Sequence, residues 1–193
     1  MNQNFSQKHP LLFWQPKKDY LKLFDHSIFG EIALVICNYS IWVFFFLVSY
    51  LLIRYDFNFF GRLFVATLVA ELIERYLKKQ KIWIRPMFKR RSSAPTGLVN
   101  SWYFSGSFPS GHTMKMIYFL LFVIATHVIS IPLFLIITIP LLTFRVLVGF
   151  HYPIDIIGGI FIGFIIWFFS KAIIFPDFLN NFIHPIFNFI FGL

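Results

Sequence analysis

The sequence predicts an all-α protein, a polytopic transmembrane helix bundle of about five to six membrane helices with an N-terminal interfacial segment. Two observations carry this prediction. The 193 residues are 58% hydrophobic and only 13% charged, with a mean hydropathy of +0.73, and the apolar residues form long runs separated by short polar breaks. Lipid is therefore expected to be the solvent for much of the chain. The length fits a single domain, residues 1–193.

The first 31 residues mix lysines with aromatic side chains, a composition typical of a segment that lies on a membrane surface. The first spanning run is Ile32–Ile53, which is long enough for a span of about 20 residues. The second is Phe59–Leu77, although it contains Glu71 and Glu74, which lipid would penalise. Two interpretations stay open for these acids. Either they face neighbouring helices, pairing i,i+4 with basic residues, or the helix emerges into water there.

Residues 79–109 form a polar connection rich in proline and glycine, and connections of this length are often functional. Four of its aromatic residues fit an interfacial belt: Trp83, Trp102, Tyr103 and Phe104.

Three further spans follow, at Thr113–Ile129, Ile131–Val148 and Pro153–Ile174. Gly159 and Gly163 are four residues apart and so allow close contact with another helix. The tail 175–193 is apolar but interrupted, so it is either an interfacial helix or a half-span.

Connectivity places polar residues from four stretches at one membrane face. The second span ends near Lys78 and the third begins near His112; the fourth ends near Arg145 and the fifth begins near His151. Because consecutive spans run in opposite directions, all four ends share one side.

The motif Pro109-Ser110-Gly111-His112 stands at the predicted start of the third span. Ser110 is suited to cap that helix, and the first-turn N–H groups form an anion site that Gly111 leaves open to a ligand. His112, beside such an anion, can donate a proton to a leaving oxygen. The plainer alternative is a capped helix with an interfacial histidine.

A second motif has the spacing Arg145-x5-His151-x3-Asp155. Asp155 can accept from one ring nitrogen of His151, which leaves the other nitrogen as a nucleophile. A His–Asp pair with only a structural role at the interface is the alternative. Lys78 and Arg85 add cations, and fixed cations aimed at charged equatorial oxygens are what phosphoryl transfer requires.

Taken together, these motifs resemble the three-part signature of the type 2 phosphatidic acid phosphatase superfamily, in its integral membrane branch. The matching residues span 78–155 and are Lys78-x6-Arg85-Pro86, Pro109-Ser110-Gly111-His112 and Arg145-x5-His151-x3-Asp155. One departure is Phe144, where the family usually has serine.

The resemblance implies a metal-independent, two-step hydrolysis without a cofactor. His151 would form a phosphohistidine, Asp155 would orient it, and His112 would protonate the leaving oxygen. The phosphoryl oxygens would be held by Lys78, Arg85, Ser110, Gly111 and Arg145. Two alternatives remain: a lipid phosphotransferase of the same fold, or a catalytically idle lipid-binding membrane protein.

The expected substrate is a lipid phosphate, because its tails can stay in the bilayer while its headgroup meets the cations. Phosphatidic acid, phosphatidylglycerol phosphate, a polyprenyl diphosphate and a lipid A phosphate all satisfy this condition. The formal charge of +9 is concentrated near residues 78–91, next to a span, which favours anionic headgroups as partners rather than nucleic acid.

We expect a bacterial inner membrane protein whose active face lies on the periplasmic or outer side, as in the family it resembles. The basic residues near that face, among them Lys79, Lys81, Lys89, Arg90 and Arg91, would by the positive-inside rule place it in the cytoplasm. Headgroup binding offers another reason for the same charges.

Overall fold

The all-α prediction is confirmed by the computed structural model, which describes residues 8–24, 28–90 and 105–191. Seven α-helices lie within these ranges: α1 (Ile28–Tyr55), α2 (Phe57–Lys79), α3 (Pro86–Arg90), α4 (Gly111–Thr126), α5 (Ile131–Leu147), α6 (Pro153–Ser170) and α7 (Asp177–Phe191). A 3-10 turn, Tyr20–Leu23, precedes α1.

The predicted spans correspond to α1, α2, α4, α5 and α6, with shifted ends. The third span ends at Thr126 rather than at Ile129 because His127 takes a left-handed conformation, with φ 53°, and so terminates the helix. The connection after α2 contains the short helix α3, which the sequence analysis did not predict. Trp102, Tyr103, Phe104 and Arg91 lie outside the described residues.

By length and composition, two of the described helices, α1 and α6, are long and apolar enough to cross a membrane. The helices α4 and α5 are apolar but shorter. The number of spans therefore stays a prediction. The tail forms the helix α7, which exposes Phe178, Phe182 and Phe189.

The closest helix contact joins α4 to α6. A Cβ at Gly159 would lie 2.8 Å from the Ser110 carbonyl oxygen, and one at Gly163 would lie 2.5 Å from that of Met114. The predicted close approach at these two glycines is thus confirmed, and it brings the start of α4 against the start of α6. Around this contact the main core buries aromatic and aliphatic side chains of α1, α2, α4, α5 and α6.

A second, smaller core covers the end of the bundle where α2 and α5 finish. We call it the cap cluster; its buried members are Leu21, Leu34, Met87, Val148 and Phe150. These residues come from the N-terminal segment, α1, α3 and the connection between α5 and α6. The cap cluster therefore holds four separate stretches together above the polar residues at this end.

The α4–α6 contact can be tested with Gly163→Ala. We expect this change to lower the free energy of unfolding by about 1–3 kcal/mol, because the added methyl meets backbone that cannot turn aside. The measurement is thermal unfolding of the detergent-solubilised protein. Phe161→Ala is the control, since Phe161 is on the same helix and 67% exposed; equal midpoints for the two variants would contradict the packing argument.

Candidate active site

A buried histidine and aspartate lie at the start of α6. His151 Nδ1 is 3.4 Å from Asp155 Oδ2, and the side chains are 1% and 0% exposed. The Tyr152 backbone N–H donates to the same carboxylate oxygen at 2.8 Å, which fixes its position. Among the described residues, His151 Nε2 has no hydrogen-bond partner. Nδ1 makes no hydrogen bond there either, because its 3.4 Å contact with Asp155 is an ion-pair distance. The ring is therefore oriented by the carboxylate beside Nδ1, and Nε2 stays available in a buried setting.

The start of α4 adjoins this pair. As predicted, Ser110 caps the helix: its Oγ accepts from the Thr113 N–H at 3.4 Å and from the Thr113 hydroxyl at 2.9 Å. The Ser110 N–H in turn donates to the Asp155 carbonyl at 3.0 Å. Two of the predicted motifs are therefore joined through their backbones.

His112, in the first turn of α4, faces α1 and α5. Its Nε2 lies 2.8 Å from the Asn38 carbonyl oxygen and 3.3 Å from Arg145 Nη1. The shorter contact suits an Nε2–H that donates to Asn38. The side chain of Arg145 is buried, and its Nε has no partner among the described residues.

Arg85 joins the first motif to the loop that carries His151. Its Nη1 donates to the Phe150 carbonyl at 3.0 Å, and its Nε donates to Ser105 Oγ at 3.0 Å. Burial lowers the pKa of Arg85 to about 10, while Asp155 and Glu74 act to raise it. Arg85 is therefore cationic at neutral pH, and it fixes the position of the residue before His151.

The surroundings of His151 keep its ring neutral. Burial is the main cause that holds the pKa of His151 well below its usual value, and the positive charges of Arg85, Arg145 and Lys78 act in the same direction. A neutral imidazole retains the lone pair that a nucleophile needs. This environment is also rich in cations, as an anion site requires.

Lys78, the remaining predicted cation, is paired with an acid on its own helix: its Nζ donates to Glu74 Oε1. Lys115 of α4 donates to Glu74 Oε2 at 2.8 Å and lies 2.5 Å from Glu71 Oε1. The acids of α2 therefore face another helix, which decides between the two interpretations left open for them.

The structure thus brings together every predicted site residue: Lys78, Arg85, Ser110, Gly111, His112, Arg145, His151 and Asp155. A family model described as the PAP2 superfamily matches residues 59–178, a range that contains all three motifs.

The chain belongs to the PAP2 superfamily. Comparison with curated proteins and with solved structures gives no match.

Sequence reasoning missed several residues that surround the PAP2 motifs. Lys115 carried a usable signal, because a lone lysine in a predicted span marks a functional or paired site, and it follows Gly111 by one helical turn. Asn38 carried none, since it contributes a backbone carbonyl from the middle of α1.

The N-terminal segment, predicted only as interfacial, lies against the PAP2 site. Gln15 Nε2 donates to the His151 carbonyl at 2.9 Å, and the Ile154 N–H donates to the Leu12 carbonyl at 3.0 Å. The Phe13 ring meets the ring of Tyr152 at a centroid distance of 5.2 Å. This segment supports the loop of the candidate nucleophile, and no spacing in the sequence indicates that.

Phe144, the departure from the usual PAP2 pattern, has a packing role in this chain. Its ring meets the Phe24 ring edge-on at 5.5 Å, and it lies against the cap cluster. A serine there would lose this contact with the N-terminal segment. Phe144 thus contributes an aromatic ring to the packing of the cap cluster, where a serine would contribute a hydroxyl group.

We expect Phe144→Ser to lower the free energy of unfolding by about 2 kcal/mol or more, through the loss of buried ring contacts. Thermal unfolding in detergent is the measurement. Phe169→Ser, at a position 67% exposed on α6, is the control. A variant as stable as wild type would show that Phe144 does not hold the cap.

Proposed function

We propose that this protein is an integral membrane lipid phosphatase that hydrolyses a phosphomonoester or diphosphate on a lipid through a phosphohistidine intermediate, without a metal. Membership of the PAP2 superfamily supports a phosphoric ester hydrolase. The observation that carries the proposal is the buried His151 Nε2, which has no partner among the described residues and is surrounded by Arg85, Arg145 and Lys78.

In the first step, the Nε2 lone pair of His151 attacks phosphorus and the bond to the leaving oxygen breaks. His112 gives its Nε2 proton to the leaving oxygen, which replaces the Asn38 carbonyl as the acceptor of this N–H. Asp155, on the Nδ1 side, stabilises the positive charge that develops on the His151 ring. Arg85 and Arg145 hold the equatorial oxygens, whose charge grows in the transition state.

In the second step, water attacks the phosphohistidine and gives up a proton to His112, which is then basic. The N–P bond breaks, inorganic phosphate forms, and His151 regains its lone pair. The N–H groups of Gly111 and His112, in the turn of α4 that Ser110 caps, are suited to the phosphoryl oxygens in both steps.

The lipid nature of the substrate is supported by the apolar surface of the bundle. Large side chains are exposed along α6, among them Phe161, Phe164 and Phe168. An apolar groove of about 270 Å³ lies between α2 and the second half of α6, lined by residues such as Ile73, Ile166 and Ile173, and suits an acyl or prenyl chain. A polyprenyl diphosphate or a glycerophospholipid phosphate is the candidate substrate we propose. We also propose that the site faces the outer side of a bacterial inner membrane.

The nucleophile is tested by His151→Ala with lipid phosphates and diphosphates in EDTA. We expect phosphate release to fall by about three orders of magnitude or more, and a phosphate label from the substrate to appear on wild-type protein but not on the variant. His184→Ala, on α7, is the matched control. Undiminished release by His151→Ala would overturn the phosphohistidine.

The same assay separates the rival functions. A phosphotransferase would release little free phosphate from a single lipid and would need a second lipid as acceptor. An idle lipid-binding protein would release none. Loss of wild-type activity in EDTA, restored by a divalent cation, would contradict the metal-independent route.

A further inference from the structure

The carboxylate of Glu74 lies directly on the face of α4 that Gly111 leaves open. A Cβ at Gly111 would be 2.0 Å from both Cδ and Oε2 of Glu74. The Glu74 side chain is 13% exposed. A carboxylate of the protein's own chain therefore lies against the side of α4 at Gly111, next to the first-turn N–H groups that suit a phosphoryl group.

The same carboxylate holds two buried cations. Lys78 donates to Oε1 and Lys115 donates to Oε2. Lys115 has a second carboxylate in Glu71, whereas the ion pair of Lys78 within the described residues is with Glu74. The two lysines thus differ: Lys115 keeps a carboxylate if Glu74 moves, and Lys78 requires a new anion.

Resting on the proposed function, we propose that Glu74 is an internal competitor of the phosphoryl group for Lys78 and for the face of Gly111. When phosphate binds, its oxygens take over Lys78, and Glu74 withdraws toward Lys115. Glu74 and phosphate cannot share the position, because two anions in contact within a buried site repel strongly.

Two consequences follow for specificity and turnover. Displacement favours an anion of higher charge than a carboxylate, so Glu74 selects dianionic phosphoryl groups over singly charged ones. The same competition lowers the affinity of the site for the product, because Glu74 competes with inorganic phosphate for Lys78. Glu74 is thereby a specificity-determining residue that the three motifs do not include.

The test is calorimetric binding of inorganic phosphate to Glu74→Gln, Glu71→Gln and wild-type protein in detergent. Glu74→Gln keeps the shape of the side chain but removes its charge, so we expect phosphate to bind about tenfold more tightly, a gain of about 1.4 kcal/mol. Glu71→Gln is the matched control, because Glu71 also pairs with Lys115 but does not lie against Gly111. The affinity of this variant for phosphate should stay within about twofold of the wild-type affinity.

Equal or weaker phosphate binding by Glu74→Gln would overturn the proposal and leave Glu74 as a support for Lys78. Glu74→Asp is the second variant. It keeps the negative charge but has a shorter side chain that reaches less far toward Lys78, so we expect it too to bind phosphate more tightly than wild type. Thermal unfolding checks that each variant is folded. Because binding is measured without turnover, the two failures can be told apart. Tighter binding without phosphatase activity would overturn the proposed function, and only the competition between Glu74 and phosphate would stand.

Discussion

Burying charged side chains between apolar helices is costly unless each charge finds a compensating partner, and that requirement organises this protein. Arg85, Arg145 and Lys115 are at most 6% exposed, in a chain that is 58% hydrophobic. Lys115 is paired with Glu74 and Glu71, and Arg85 donates to the Phe150 carbonyl and is stabilised by the charges of Asp155 and Glu74. Arg145 contacts His112, and within the described residues its Nε is left for a further acceptor. Helices that would otherwise pack as an unspecific apolar bundle are thereby fixed in register at one end.

The cap cluster is the second part of that solution. A cluster of cations open to water would attract anions only weakly, because water screens their charge. Leu34, Met87 and Phe150 are buried together, and the Phe150 ring lies 5.3 Å from the Arg145 guanidinium. The N-terminal segment adds Phe13 against Tyr152. The chemistry of the site therefore depends on residues that carry no polar group at all.

The fold and the motif residues could be predicted from the sequence because both depend on the spacing of residues that are close together along the chain. Apolar runs set the helices, and the alternating direction of successive helices placed Lys78, His112, Arg145 and Asp155 at one end. Contacts made by partners distant in sequence could not be predicted. Gln15 reaches a carbonyl 136 residues away, and no periodicity encodes that pairing.

The ends of the helices differ from the predicted ends of the spans for reasons that lie in the backbone conformation. The third predicted span lost its last residues because the backbone of His127 turns left-handed, which no hydropathy run reveals. Phe144 shows the converse: its departure from the family pattern was visible in the sequence, but its reason, the ring of Phe24, lies in tertiary packing.

The site divides into a fixed half and an adjustable half. Backbone atoms tie down the loop of His151: the Ser110 N–H binds the Asp155 carbonyl, the Met87 N–H binds the Gly149 carbonyl, and Gly149 takes a φ of 86° that favours glycine.

Lys78 and Lys115, in contrast, are paired with side chains in the described part of the chain, those of Glu74 and Glu71. A nucleophile must be aligned within a fraction of an ångström to react, whereas a group that binds and releases an anion in each turnover gains from partners it can exchange. The rigid contacts therefore lie around His151, and the exchangeable ion pairs lie around Lys78.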